Sequence, residues 1–149
     1  MKKALVGILL LVLLLTGCTP SNRRLGEVML NEFSNDENYV TLIGEIIEYD
    51  SSINYITIKS EGLKDYLAYD TCVYTIFSQE TYAFAIGDTI EFTTIIFHIY
   101  GGRELPIVGI KMNDATLLTF EDGKAAIIKY AQTLYESKHP YRLSKEDFN

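Results

Sequence analysis

The sequence predicts a mainly β chain of the α+β class: five strands in succession, with a short helix before them and a longer one after. Three observations predict it. From Tyr39 to Met112, β-branched and aromatic runs alternate with short clusters of Gly, Asp, Asn and Ser, the pattern of strands separated by turns. On either side of that region apolar residues recur every three or four positions, which is helical spacing. Beyond residue 17 there are 132 residues, enough for one domain with a real core.

The first helix rests on Leu25, Val28, Met29 and Phe33, and Asn35-Asp36-Glu37-Asn38 breaks it. Strand one covers 39–49, "YVTLIGEIIEY", and Asp50-Ser51-Ser52 turns it. Strand two covers 53–59, "INYITIK", followed by a loop from Ser60-Glu61-Gly62. Strand three covers 67–77, "LAYDTCVYTIF". "SQETYAFA" at 78–85 is expected to form one or two helical turns capped by Ser78. Gly87-Asp88 leads into strand four, 89–99, and Gly101-Gly102 is a hairpin signal before strand five, 104–112. Asp122 is expected to cap a helix running to Lys138, with Ala125, Ile128, Ala131, Leu134 and Tyr135 on one face. His139-Pro140 stops it, and Ser144-Lys145-Glu146-Asp147 has the form of a capped terminal turn.

The start of the chain gives an address. Lys2 and Lys3 precede twelve uncharged, apolar residues at 4–15. A basic start and a 7–15-residue apolar stretch form a secretory signal, too short to span a membrane. Leu15-Thr16-Gly17-Cys18 resembles the bacterial lipobox, an aliphatic residue, two small residues and a cysteine. That resemblance implies a diacylglyceryl group on Cys18, cleavage just before it, and a chain held on the outer side of a bacterial membrane in the cell envelope. Two acyl chains anchor stably. The expected division is a signal at 1–17, a tether at 18–24, helix and barrel at 25–116, and a helical C-terminal segment at 117–149.

Five strands, a short helical piece between the third and fourth, and Gly44 inside the first resemble an OB-fold, the five-stranded Greek-key barrel. Gly44 stands where a coiled first strand needs a bulge or tight bend. More narrowly, "GEIIEYD" at 44–50, "CVYTIF" at 72–77 and "IGDTIEF" at 86–92 resemble the tRNA-anti-like OB-fold family over roughly residues 25–116. That family's members are often bacterial lipoproteins without an assigned function. Two stretches depart from its pattern: "NDENYVTLIG" lacks the usual entry to strand one, and "TTIIFHIYGG" lacks a Gly near the end of strand four. These are turn and core signals, and a fold does not name a ligand.

Composition narrows the chemistry. After residue 17 there are eleven basic and twenty acidic side chains, a balance of −9. Such a surface repels nucleic acid and anionic headgroups. The only histidines, His98 and His139, stand 41 positions apart without Cys or His at ligand spacing, so no metal or other cofactor is expected. Cys72 reads as a buried strand residue without a base beside it. Asp50 and Asp70 could form a carboxylate pair for acid–base work, but nothing in their spacing joins them. There is no G-x-S-x-G elbow and no phosphate loop. No enzyme is expected.

What remains is the outer face of the barrel. OB-folds usually bind through strands two and three and the loops joining strands 1–2 and 4–5. With Ile56, Ile58, Cys72, Tyr74 and Ile76 inward, the groove carries Tyr55, Lys59, Tyr69 and Thr71, flanked by Tyr100 and Arg103. Tyrosines and a cation stack on a sugar, a base or a partner's side chains. A slip of one residue would exchange the faces. The expected role is a lipid-anchored envelope binding module that takes a protein or small ligand. The alternative is an OB-fold that binds single-stranded nucleic acid or oligosaccharide.

Overall fold

The computed structural model describes residues 22–96 and 104–137. Helix α1 (Asn22–Ser34) is followed by six strands: β1 (Tyr39–Asp50), β2 (Tyr55–Lys59), β3 (Thr71–Ile76), β4 (Thr89–Ile95), β5 (Glu104–Met112) and β6 (Ala115–Leu118). Helix α2 (Phe120–Glu136) ends the described chain.

Strand order is β3-β2-β1-β4-β5-β6, and a parallel pairing of β3 with β5 closes the first five into a barrel. The five-stranded OB-like barrel expected from the sequence is present, closed and of mixed strand direction, with two helices beside it. β1 is long because it serves two partners: Tyr39–Glu45 pairs with β4, and Glu45–Asp50 pairs with β2. The strand bends where it changes partner. A bulge lies between Ile46 and Glu48. Gly44 faces inward nearby, where a Cβ would strike the Ile58 side chain and come within 2.8 Å of the Lys59 carbonyl oxygen. The close approach of β2 is what requires glycine there.

The inside is filled by alternate residues. Leu42 and Ile46, Ile56 and Ile58, Cys72, Tyr74 and Ile76, and Ile90 and Phe92 are all buried. Of the two registers the sequence leaves open on β2 and β3, the one with Ile56, Ile58, Cys72, Tyr74 and Ile76 inward is therefore the observed one. A 3₁₀ turn, Glu61–Asp65, drops Leu63 and Leu67 into this core. Tyr82, with Tyr49 and Phe84 packed against the same core, adds to it from 78–88 and the end of β1.

A second core lies outside the barrel wall. Phe33, Ile95, Val108, Ile127 and Ala131 cluster there. Gly26 lies against the backbone of Ala131 and Tyr135, while Phe33 packs with Ile127, so α1 and α2 run antiparallel. The helices make their closest approach through small residues and cover the side of the barrel at Ile95 and Val108.

Several expectations are corrected. α1 opens at Asn22, inside the stretch read as tether, and Val28 points outward while Leu25, Met29, Leu30 and Phe33 face inward. Residues 67–70 are loop, because the chain is still turning: Leu67 N–H donates to the Leu63 carbonyl. Residues 78–85 form no helix. The Ser78 hydroxyl does accept from Glu80 N–H, but the carbonyls of Ser78 and Glu80 accept from the Asn54 amide, and Tyr82 N–H donates to the Tyr49 hydroxyl. These distant partners take the groups that a helix would pair internally. A sixth strand, β6, follows a two-residue turn at Asn113-Asp114, both at positive φ, which is the favoured hairpin geometry. The cap of α2 is Thr119, whose hydroxyl accepts from Asp122 N–H. The buried face of that helix is Gly123, Ile127, Ala131 and Leu134, and Ala125 is exposed. The expectations for Cys18, His98, Tyr100, Gly101-Gly102, Arg103, His139-Pro140 and residues 144–147 lie outside the described residues.

Candidate functional site

The predicted groove residues on β2 and β3 fall on the outer face. Lys59 and Thr71 are cross-strand partners at one end, and Tyr55 faces Thr75 at the other. Four residue steps along the strand separate Tyr55 from Lys59, about 13 Å. Tyr69 is not in the strand. It stands in the loop two residues before Thr71, 40% exposed. Lys59, Tyr69 and Thr71 thus gather at one end of the face, and Tyr55 stands apart. Tyr100 and Arg103 lie outside the described residues.

That end has a polar frame. The Thr71 hydroxyl donates to the Asp70 carboxylate at 3.0 Å. Lys64 is 2.8 Å from Glu61 and 3.9 Å from Asp70. The hydrogen bond that Lys64 donates to the Glu61 carboxylate raises the ammonium above its ordinary pKa, and the charges of Glu61 and Asp70 add to this. Lys64 is thereby partly answered, which leaves Lys59 as the cation on the strand face itself. Asp50 lies at the far end of β1, paired with Tyr55, while Asp70 lies beside the Lys59 end of β2. The two carboxylates do not meet.

Cys72 is buried at 4% exposure, its thiol 3.5 Å from the Val73 carbonyl. It is a core residue, as expected. Two residues on, Tyr74 is fully buried and its hydroxyl finds no hydrogen-bond partner. Among the described residues no three His, Cys, Asp or Glu side chains group as a metal site, and no helix is long and apolar enough to cross a membrane.

The structure adds a concavity that sequence reasoning did not find. A trough of about 370 Å³ runs over the outer face of β1, β4, β5 and β6 to the start of α2. Thr41 and Thr93 line it with hydroxyls bonded to each other at 2.9 Å. Gly109 leaves the wall low, Glu91 and Lys111 stand 3.9 Å apart, and Thr116, Thr119 and Glu121 complete the rim. Its strand threonines come one each from β1, β4 and β6, so no single stretch of the sequence announced it. The missing β6 concealed the rest.

No family model matches the chain, and no curated protein matches it. Among solved structures, a Cu(II) form of a CusF variant, residues 10–88, from Escherichia coli is 20% identical. The match covers 53% of this chain and 96% of that one with a TM-score of 0.41. CusF with Ag(I) is 19% identical over 50% of this chain and 97% of that one, with a TM-score of 0.40. Apo-CusF, residues 6–88, from Escherichia coli is 19% identical over 50% and 87%, with a TM-score of 0.39. These likenesses are distant and say nothing of a ligand. The fold assignment stands on the strand pairing itself.

Proposed function

We propose that this chain is a lipid-anchored binding module of the bacterial cell envelope. In this reading a diacylglyceryl group on Cys18 holds the domain on the outer side of a membrane, and the β2–β3 face takes a protein or small ligand. One observation carries the binding role. The barrel interior is packed solid, the helices cover the side at Ile95 and Val108, and Lys59, Tyr69 and Thr71 are left exposed together on the face that OB-folds use. The lipobox at 15–18 and the resemblance to the tRNA-anti-like family support the address. The charge balance of −9 and a single strand-face lysine argue for a partner other than nucleic acid, because single-strand binders rely on a positive groove.

Two measurements test the reading. Cys18→Ala should leave the precursor uncut or release the chain from the membrane fraction. Normal processing and retention would refute the anchor. A photo-crosslinking residue at Tyr69 or Thr71 should capture one specific partner in cells, and the same residue at exposed Lys129 should not. Equal capture at all three would refute the groove. At about 150 mM salt, labelled single-stranded DNA and RNA should not bind below micromolar concentrations.

A second reading has its own observation, the hydroxyl-lined trough. Its size suits a small polar ligand of the class held by a few placed hydrogen bonds. A ligand in the trough would lose affinity with Thr93→Val and be indifferent to Tyr69→Ala. A ligand on the β2–β3 face would show the reverse.

A further inference from the structure

Three large aliphatic side chains are exposed on one part of the barrel: Ile43 at 65%, Ile47 at 40% and Ile86 at 75%. They share a surface. Ile43 and Ile47 lie on the outer side of β1, where Leu42, Gly44 and Ile46 point inward. The β1–β4 ladder continues into the turn at 85–88. Ile46 N–H donates to the Asp88 carbonyl, and Gly87 N–H donates to the Ile46 carbonyl, both at 2.8 Å. The turn that carries Ile86 is therefore held beside the bulge at Ile47.

The fold does not require these residues. Ile86 occupies a turn closed by Asp88, whose N–H donates to the Ala85 carbonyl and whose carboxylate accepts from Ala85 N–H. An exposed turn position of this kind is satisfied by a polar residue. Exposed aliphatics that the core does not need, gathered within a polar rim, mark an interaction surface.

The rim specifies the partner. Glu45 lies between the two isoleucines on β1, Glu48 flanks the bulge, and Glu91 is the cross-strand neighbour of Ile43. Asp88 sits in the turn. Two lysines face this group: Lys59, opposite Glu45, and Lys111, 3.9 Å from Glu91. Four carboxylates against two ammonium groups leave the face acidic. A second copy docked about a two-fold axis would bring the same carboxylates together, and anionic headgroups would be repelled in the same way. We propose that this face docks a segment of a partner protein that alternates aliphatic and basic residues, its aliphatics seated on Ile43, Ile47 and Ile86 and its cations against Glu45, Glu48 and Glu91. The site adjoins the β2–β3 face at Lys59 and the trough at Glu91 and Lys111, but its aliphatic seats do not include Tyr69 or Thr71.

The test uses the full chain in nanodiscs of neutral phosphatidylcholine, with empty nanodiscs as blank. The probe is a fluorescent peptide alternating valine and lysine, and the counter-probe alternates valine and glutamate. Anisotropy should show the lysine peptide binding at least tenfold more tightly than the glutamate peptide. Its affinity should fall at least tenfold in the Ile43→Ser/Ile86→Ser double variant, since each buried aliphatic is worth about that factor. Both positions are exposed, so the double variant should melt with the wild type. Tyr69→Ala should leave peptide binding unchanged, which separates this site from the groove. The proposal is overturned by absent binding, by equal affinity for the two peptides, or by a double variant that binds as well as wild type. It is also overturned if chemical crosslinking shows a dimer that the double variant loses, which assigns the face to a second copy. Sedimentation with anionic vesicles that the double variant abolishes would overturn it too, by assigning the face to a lipid surface.

Discussion

Tyr74→Phe should stabilise this protein, against the usual direction of core substitutions. Tyr74 is fully buried on the inward side of β3, and its hydroxyl has no partner. An unpaired buried hydroxyl costs about 1–3 kcal/mol. Phenylalanine keeps the ring and its edge-to-face contact with Phe92, at 5.1 Å between centroids. The void left by one oxygen, about 10 Å³, costs only about 0.2 kcal/mol at 24 cal/mol per Å³. The net gain is about 1–3 kcal/mol, and each kcal/mol corresponds to about 3–5 °C in Tm for a chain of this size. Alkaline pH sharpens the test. Burial first, with Cys72 and Tyr69 adding, holds the Tyr74 hydroxyl well above its ordinary pKa of 10.0. The folded state therefore keeps this proton while the unfolded chain releases it above pH 10. Unfolding is then favoured by up to about 1.4 kcal/mol per pH unit. The phenylalanine variant has no hydroxyl to lose at this position, so its advantage should grow from pH 10 to 11. Thermal melts by circular dichroism at pH 7, 10 and 11 measure both effects. A Tm lowered at pH 7, or a gap that stays constant with pH, would show that the hydroxyl is paired and the reasoning wrong.

Tyr39→Phe is the counterpart and should destabilise by about 1 kcal/mol, because the Tyr39 hydroxyl donates to the Phe33 carbonyl at 2.6 Å. Its pKa is pushed up to about 12 by burial and by Asp36. Thr119→Ala removes the cap of α2 and should cost about 1 kcal/mol in urea unfolding, whereas Asp122→Ala should cost less. Gly44→Ala forces a methyl onto Ile58 and the Lys59 carbonyl and should cost about 1–3 kcal/mol; a neutral result would mean that β1 is less tightly bent than described. Thiol reagents should label Cys72 slowly in the native protein and rapidly in denaturant, and fast native labelling would contradict its burial.

The strands were legible because each carries a short-range pattern. Inward Ile56 and Ile58 alternate with Tyr55, Thr57 and Lys59, whereas Cys72, Tyr74 and Ile76 alternate with Thr71, Val73 and Thr75, so the strands were legible but the face of β3 was settled only by its partners. The parallel closure of β3 on β5 was not legible, since nothing local to Val73 or Leu105 states that they pair; the resemblance implied only a five-stranded barrel. β6 was missed because Ala115–Leu118 is four residues long, and its signal is the backbone of Asn113-Asp114. The helix expected at 78–85 failed for the opposite reason. Its local signals were sound, but Asn54 and Tyr49, remote in sequence, claim its backbone groups. Of the groove, Lys59 and Thr71 could be placed by alternation. Tyr69 could not, because a 3₁₀ turn ends the alternation before it. The trough was out of reach, since its walls come from five elements.

The arrangement of cores limits where this domain can bind. The inside of the barrel is filled by Phe92, Tyr74 and the aliphatic side chains around them, which leaves recognition to the outer faces. The antiparallel helices take one side, through Phe33, Ile127 and Ala131 on Ile95 and Val108. With a lipid on Cys18, those helices also set the height above the bilayer. α1 opens at Asn22, and four residues of fully extended chain reach at most about 14 Å. The start of α1, and with it the antiparallel end of α2 at Tyr135, would then be held near the headgroups. β1 begins only after the full length of α1, 13 residues or about 20 Å of helix. Under the proposed anchor, the surfaces of β1–β3 would be connected to the membrane through α1, which packs on α2 where Gly26 meets Ala131 and Tyr135. If the anchor holds, a partner would meet the barrel face close to the membrane, and its own binding segment would have to be accessible at that height.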